Sequence, residues 1–402
     1  MLILLVCDNS FTLHHPVFPM TKLAINGGKP TSPNRVSLVK PTFYKKDEKD
    51  IARILKTGYL RQGPYTKKFE EQYAEKTGAK YAYAVANGTA ALHLAYLSIL
   101  KPGDEVIAPA FTFIATISTV HYSNAKPVLA DVEPDTYLLD PEKVKEKITD
   151  KTKAIAPVHL FGNSCDMKAL NEIAQDHNLY IVNDCAQAHG TEYNGKDIGS
   201  SETLNTYSFY PTKTLTMGEG GIVTTNNEEL YKKGLLLRSH GDDARYHHVI
   251  YGLNYRPTDI ASAIGINQLA HLDEYLKARR HAGEKLRQSI DKIDAVTPQK
   301  ITPNTSPSYS YFTVRLELEE LNCTRDQFME ALQAENIDCG VHYPIALTQQ
   351  PVVKELYPPQ SCPVSEDLAT RILSLPMHPY LIDQELGYIT EAVEKVTTNY
   401  QK

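Results

Sequence analysis

Short apolar runs alternate with amphipathic stretches from about residue 47 to residue 265. Apolar runs bounded by polar turns predict buried strands. They fall at residues 82–86, 105–109, 127–131, 154–159, 180–184, 206–209 and 221–225. Stretches with helical spacing, 90–100, 166–177 and 228–236, lie between several of them. This alternation predicts an α/β fold in which a mostly parallel sheet is covered on both faces. One long helical stretch, 259–293, then leads into a smaller α+β unit from about residue 298. That unit carries a strand at 310–318, a helix at 325–336 and a closing helix at 383–396. The predicted division is a large domain over residues 20–265, then a linking helix and small C-terminal domain over 266–402. Residues 1–19 read as a disordered extension without a catalytic role. Their apolar start, Met1-Leu2-Ile3-Leu4-Leu5-Val6, is too short to span a membrane and lacks the basic head of a secretory signal.

Composition narrows the function classes. A chain of 402 residues with 42% hydrophobic content suits a soluble globular protein of two domains. The net charge of −6, without a dense basic run, argues against a nucleic-acid partner. Lys277-Ala278-Arg279-Arg280-His281 reads as the wet face of a helix. Six cysteines have no paired spacing for zinc or a dense disulfide frame, which fits a reducing cytoplasm and no metal.

Three segments carry candidate chemistry. Lys213 sits in Ser208-Phe209-Tyr210-Pro211-Thr212-Lys213, with Gly218-Glu219-Gly220-Gly221 close behind. A desolvated lysine is more often a free amine, hence a nucleophile toward a carbonyl, whereas most lysines are simply solvated. Asp184 ends the apolar run Tyr180-Ile181-Val182-Asn183. It suits either a helix cap or a buried carboxylate that needs a cationic partner such as a protonated pyridine. In Ala86-Asn87-Gly88-Thr89-Ala90-Ala91 small residues open an Ala/Leu-rich helix, giving either an ordinary cap or a phosphate site made of free N–H groups. It is neither a Walker loop nor a dinucleotide fingerprint. Phosphate cradle, ring-nitrogen carboxylate and carbonyl-binding lysine, in that order, are the parts of a pyridoxal phosphate site.

The same segments resemble those of the DegT/StrS family of sugar aminotransferases. Blocks from about Gly58 to Pro379 carry the likeness, among them Gly58-Tyr59-Leu60-Arg61-Gln62-Gly63-Pro64, Pro109-Ala110-Phe111-Thr112-Phe113-Ile114-Ala115-Thr116 and Gly252-Leu253-Asn254-Tyr255-Arg256. The resemblance implies a fold-type I pyridoxal-phosphate transferase: a large domain with a mostly parallel seven-stranded sheet and a smaller C-terminal α+β domain. It implies that Lys213 binds the cofactor's aldehyde and shuttles a proton, and that Asp184 faces the pyridine nitrogen. Gln187 would lie beside the ring's phenolic oxygen and Phe113 on the ring face. Gly88, Thr89 and Ser208 would hold the phosphate. Asn254 would reach that phosphate from a partner subunit, implying a homodimer with active sites at its interface. Arg256 matches either a binder of the donor carboxylate or a structural ion pair. His342 and Tyr343, in Cys339-Gly340-Val341-His342-Tyr343-Pro344-Ile345, would stand near the sugar and nucleotide. Thr348-Gln349-Gln350-Pro351 stands where a second histidine is common in the family.

The implied activity moves an amino group from L-glutamate or L-glutamine to a keto-sugar, preferably nucleotide-linked, in amino-sugar biosynthesis. Leu23-Ala24-Ile25-Asn26-Gly27-Gly28-Lys29-Pro30 resembles a branch that aminates a bare keto-cyclitol, which is the runner-up. A sugar dehydratase that does not transaminate, or a regulatory homologue that binds pyridoxal phosphate without turnover, competes with both. Lys213 counts against the dehydratase, whose family variant carries histidine there.

Overall fold

Seven strands of four or five residues build the central sheet of the computed structural model, which describes residues 21–402. The reading of residues 1–19 lies outside the described residues. In chain order the strands are β1 (Tyr81–Val85), β2 (Glu105–Pro109), β3 (Lys126–Ala130), β4 (Thr152–Ile155), β5 (Tyr180–Asp184), β6 (Leu204–Ser208) and β7 (Gly221–Thr225). Every residue of β2 and β7 is buried, the signature of strands covered on both faces. Their spatial order is β1-β7-β6-β5-β4-β2-β3. Only β7 runs against the rest, pairing antiparallel with both β1 and β6. The other pairs are parallel, so the carboxyl ends of β1, β2, β5 and β6 open onto one edge of the sheet.

Helices cover both faces. They include α1 (Lys45–Thr57), α2 (Pro64–Thr77), α3 (Gly88–Ile99), α4 (Ala115–Tyr122), α5 (Met167–Asp176), α6 (Glu228–Arg238), α7 (Asp259–Leu269) and α8 (Leu272–Ile290). The helical stretch expected across 259–293 is therefore two helices, parted at Ala270 and His271. Each has a different partner. Helix α7 packs on α1 and α2 and is buried nearly all round, whereas α8 sets Leu272, Tyr275 and Leu276 in the core of the large unit and Ala282, Leu286 and Ile290 in that of the small one. At its start, Asp259 Oδ1 accepts from the backbone N–H of Gly63 (2.8 Å) and Thr66 (3.0 Å), fixing the entry of α2 from a distant part of the chain.

The small unit has an antiparallel sheet, β8 (Val296–Pro298), β9 (Phe312–Leu316) and β10 (Ile372–Leu375), paired in that order. Helices α9 (Arg325–Ala334) and α10 (Asp383–Tyr400) pack with it around Leu286, Phe312, Phe328, Leu373, Ile389 and Val393. The basic cluster at 277–281 is a wet face only in part: Lys277 and His281 are exposed, but the two arginines turn inward. Arg279 is buried, and its Nη1 donates to the carbonyls of Tyr309 (3.0 Å) and Met377 (3.0 Å). Its neighbour Arg280 donates to the carbonyls of Pro307 (3.1 Å) and Gly190 (3.0 Å). Together they tie α8 to the segment entering β9. No helix among the described residues is long and apolar enough to cross a membrane.

Candidate active site

A cavity of about 490 Å³ opens at the carboxyl ends of the parallel strands, where open α/β sheets place their ligands. Asp184 enters it as the last residue of β5, and Ser208 as the last of β6. Gly88 and Thr89 enter at the start of α3, immediately after β1. Phe113 comes from the loop after β2, and Lys213 from the turn after β6. Gln187, His342 and Tyr343 complete the wall. The cavity thus brings together residues between 88 and 343 in the sequence. Asn254 and Arg256 stand apart from it. Asn254 is exposed and bridges the backbone of Ser239, while Arg256 Nη2 lies 3.4 Å from His240 Nε2.

At the start of α3 the Asn87 side chain caps the helix by accepting from Ala90 N–H at 2.8 Å. A cap there leaves the first N–H groups of the helix facing the cavity, beside the Ser208 hydroxyl. A Cβ at Gly88 would lie 2.6 Å from Ser208 Cβ, so only glycine lets helix start and strand end converge. His189 secures the strand side: Nε2 meets the Ser208 carbonyl at 2.8 Å and Nδ1 the Tyr73 hydroxyl at 2.8 Å. Burial lowers its pKa to about 4, so it acts there as a neutral imidazole.

Asp184 is buried, with Oδ2 accepting from Thr116 Oγ1 at 2.8 Å and Oδ1 from Ala186 N–H at 3.1 Å. Burial raises its carboxyl above the usual range, opposed by those two bonds and by the charge of Lys213. Among the described residues no side-chain cation lies within ion-pair distance of it. Burial moves Lys213 the other way, down to about 8, with Asp184 pulling it back up. Lys213 lines this cavity.

The far wall is aromatic. Gln187 donates through Nε2 to the Tyr343 hydroxyl (3.0 Å) and accepts through Oε1 from Phe161 N–H (2.8 Å). Phe113 keeps 53% of its surface exposed, its ring 5.8 Å from that of Tyr343. The His342 ring lies 4.3 Å from that of Tyr311, with Nδ1 3.2 Å from Ser374 Oγ. Burial, then the charge of Lys213, lowers its pKa to about 4.

Thr116 and Tyr311 are the site residues that sequence reasoning passed over. Thr116 closes the Pro109–Thr116 block and Tyr311 falls in the strand expected at 310–318, but a threonine in a helix and a tyrosine at a strand's edge carry no signal of their own. The donor set fits pyridoxal phosphate on three counts. Gly88 and Ser208 leave a cradle that a Cβ would fill, Phe113 offers an uncovered ring face, and Asp184 is a buried carboxylate short of a cation. No group of three or more His, Cys, Asp or Glu among the described residues is placed to hold a metal ion.

Residues 41–394 match the model of the DegT/DnrJ/EryC1/StrS aminotransferase family. GDP-perosamine synthase of Escherichia coli O157:H7 is 34% identical over 371 residues, 90% of this chain and 98% of that protein. A UDP-2-acetamido-2-deoxy-3-oxo-D-glucuronate aminotransferase of Pseudomonas aeruginosa is 37% identical over 345 residues, 85% of this chain and 94% of its own. The crystal structure of S. venezuelae DesV superposes with a TM-score of 0.86 at 34% identity, covering 90% of this chain and 98% of that one.

Proposed function

Since the chain belongs to the DegT/DnrJ/EryC1/StrS aminotransferase family, we propose that it uses pyridoxal phosphate to move the amino group of L-glutamate or L-glutamine to a nucleotide-linked keto-sugar. The observation that carries this reading is the meeting of Lys213 and Asp184, from separate elements, in one cavity beside the Gly88–Ser208 cradle. The nucleotide-linked acceptor is supported by relatives named for GDP- and UDP-sugars.

When bound, the cofactor supplies an electron sink that stabilises negative charge at the donor's Cα. The chain supplies the rest. N–H groups of Gly88 and Thr89 and the Ser208 hydroxyl would hold the cofactor's phosphate at the positive end of α3. Asp184, lining the cavity, would keep a proton on the pyridine nitrogen, and Phe113 would cover the ring and exclude water. Gln187, which donates to the Tyr343 hydroxyl, would stand beside the ring's phenolic oxygen. Lys213, with its pKa brought down to about 8, is partly a free amine near neutrality; it would hold the aldehyde end of the cofactor and could take up a proton from the donor's Cα. His342 and Tyr343 line the acceptor end.

Asn254 and Arg256 lie outside their own cavity and are assigned to that of a second copy, giving a homodimer with sites at its interface. Tyr246 and Tyr251, 80% and 102% exposed on the same stretch, suit such a contact. The test is the visible spectrum of the protein with pyridoxal phosphate, before and after L-glutamate, with Lys213→Ala alongside. Loss of the visible band with glutamate in the wild type only supports the reading. A band that ignores both glutamate and glutamine sinks it.

A further inference from the structure

Thr116 does one thing with its hydroxyl that a packing residue would not need to do. It lies in α4, fully buried, and places Oγ1 2.8 Å from Asp184 Oδ2. Behind it, Thr112 Oγ1 lies 3.2 Å from Thr116 Oγ1. An ionised carboxylate only accepts, so Thr116 must donate to Asp184, and its remaining capacity is as an acceptor, filled by Thr112. The hydroxyls therefore form an ordered chain, Thr112 to Thr116 to Asp184, away from water, where such dipoles act at full strength. The Ala186 N–H, at 3.1 Å, occupies one acceptor site on the other oxygen. Each carboxylate oxygen thus accepts one bond from the protein, and Asp184 lines the cavity.

Phe113 stands three residues before Thr116 on the same loop-and-helix element, so one piece of backbone sets both the ring cover and the setting of the carboxylate. We propose that Thr116, backed by Thr112, is a positioning residue that fixes Asp184 as the anion facing the cofactor's ring nitrogen. The proposal rests on the pyridoxal phosphate reading. Its physical content is that burial alone drives a carboxylate toward its neutral form, and a neutral Asp184 could not hold a proton on a pyridine. Thr116 is one of the few groups acting against that drive.

The test compares wild type with Thr116→Val, which keeps the branched shape and loses the hydroxyl, and Thr116→Ser, which keeps the hydroxyl. Two quantities are read: the dissociation constant for pyridoxal phosphate, from the visible band on titrating cofactor-free protein, and the 15N shift of ring-labelled cofactor. Loss of a hydrogen bond to a charged group predicts affinity weakened about tenfold in T116V. The 15N shift should move toward the unprotonated pyridine, and T116S should restore both. An affinity and shift in T116V equal to wild type would overturn the proposal while leaving the cofactor reading intact. Absence of a visible band in wild type would overturn both. If T116V does not fold, Thr112→Val carries the test. It removes the outer donor only and should shift the same signal in the same direction by less, and an unmoved signal there counts against the proposal.

Discussion

Gly88 and Ser208 approach so closely that a Cβ on the glycine would sit 2.6 Å from Ser208 Cβ and 3.0 Å from its Oγ. Helix start and strand end touch here with nothing between them, and the contact sets the floor of the cavity. Gly88→Ala forces them apart. Overpacking of this kind costs about 1–3 kcal/mol of stability. The larger effect should fall on pyridoxal phosphate affinity, since the N–H groups and the hydroxyl no longer converge. Titration of cofactor-free G88A, read against its thermal melt, separates the two. Affinity unchanged from wild type would show that the phosphate is held elsewhere.

Lys213 should make the capture of pyridoxal phosphate climb with pH and level off above about 8, the value to which burial brings its amine. An ordinary lysine would still be climbing at about 10. The same shift has a stability consequence whose sign is fixed. Between about 8 and the unfolded value near 10.4 the unfolded chain binds more protons at this position, so its contribution to stability rises with pH there. Stopped-flow growth of the visible band checks the first effect. Denaturant melts of wild type and Lys213→Met check the second, and the rise should be absent in the variant.

The sequence declared the sheet because its strands are buried on both faces and read as unbroken apolar runs, as in Val106-Ile107-Ala108 and Ile222-Val223. Helices α1 and α2 were not legible for the opposite reason. The inward positions of α2 are Thr66, Phe69, Tyr73 and Thr77, half of them threonine, so no apolar stripe forms. Strand β8, three residues ending in Pro298, is too short to leave a pattern. The break between α7 and α8 falls at Ala270 and His271, neither a helix breaker, because tertiary partners impose it. Lys213, Asp184 and the Gly88 turn could be read since each has a distinctive residue type beside a strand. Thr116 and Arg279 could not, because their roles exist only in three dimensions.

Arg279 is buried, has no carboxylate partner among the described residues, and donates through Nη1 to the carbonyls of Tyr309, Met377 and, at 3.4 Å, Ser310. Burial brings its pKa down to about 10, while nearby Tyr311, Tyr275 and Tyr380 push the other way. Removing it strands those carbonyls where α8 meets the small unit. Arg279→Ala should cost roughly 2–4 kcal/mol by urea denaturation, well above a surface substitution. Arg280→Ala, at a less buried position, should cost less. Equal losses would show that the pair acts by charge alone.

Glu335 and Lys395 form a covered ion pair at 2.8 Å, with the glutamate side chain fully buried. The same carboxylate accepts from Ala24 N–H (2.8 Å) and Thr31 N–H (2.8 Å), tying the N-terminal arm to the small unit. Burial pushes its pKa up, but Lys395 and these N–H groups outweigh burial, and the net shift is downward. A depressed carboxylate contributes stability that is fully present above the unfolded pKa, near 4.3, and is lost as pH falls through the folded value below it. Glu335→Gln should therefore cost about 1.5–3 kcal/mol at neutral pH, since half-buried Lys395 keeps its bond to the Lys29 carbonyl but loses the carboxylate. The penalty should shrink in acid, where the wild type loses the same interaction. Melts of both proteins between about pH 7 and pH 3 check this, and a penalty constant across that range would mean that the arm is held by its other contacts.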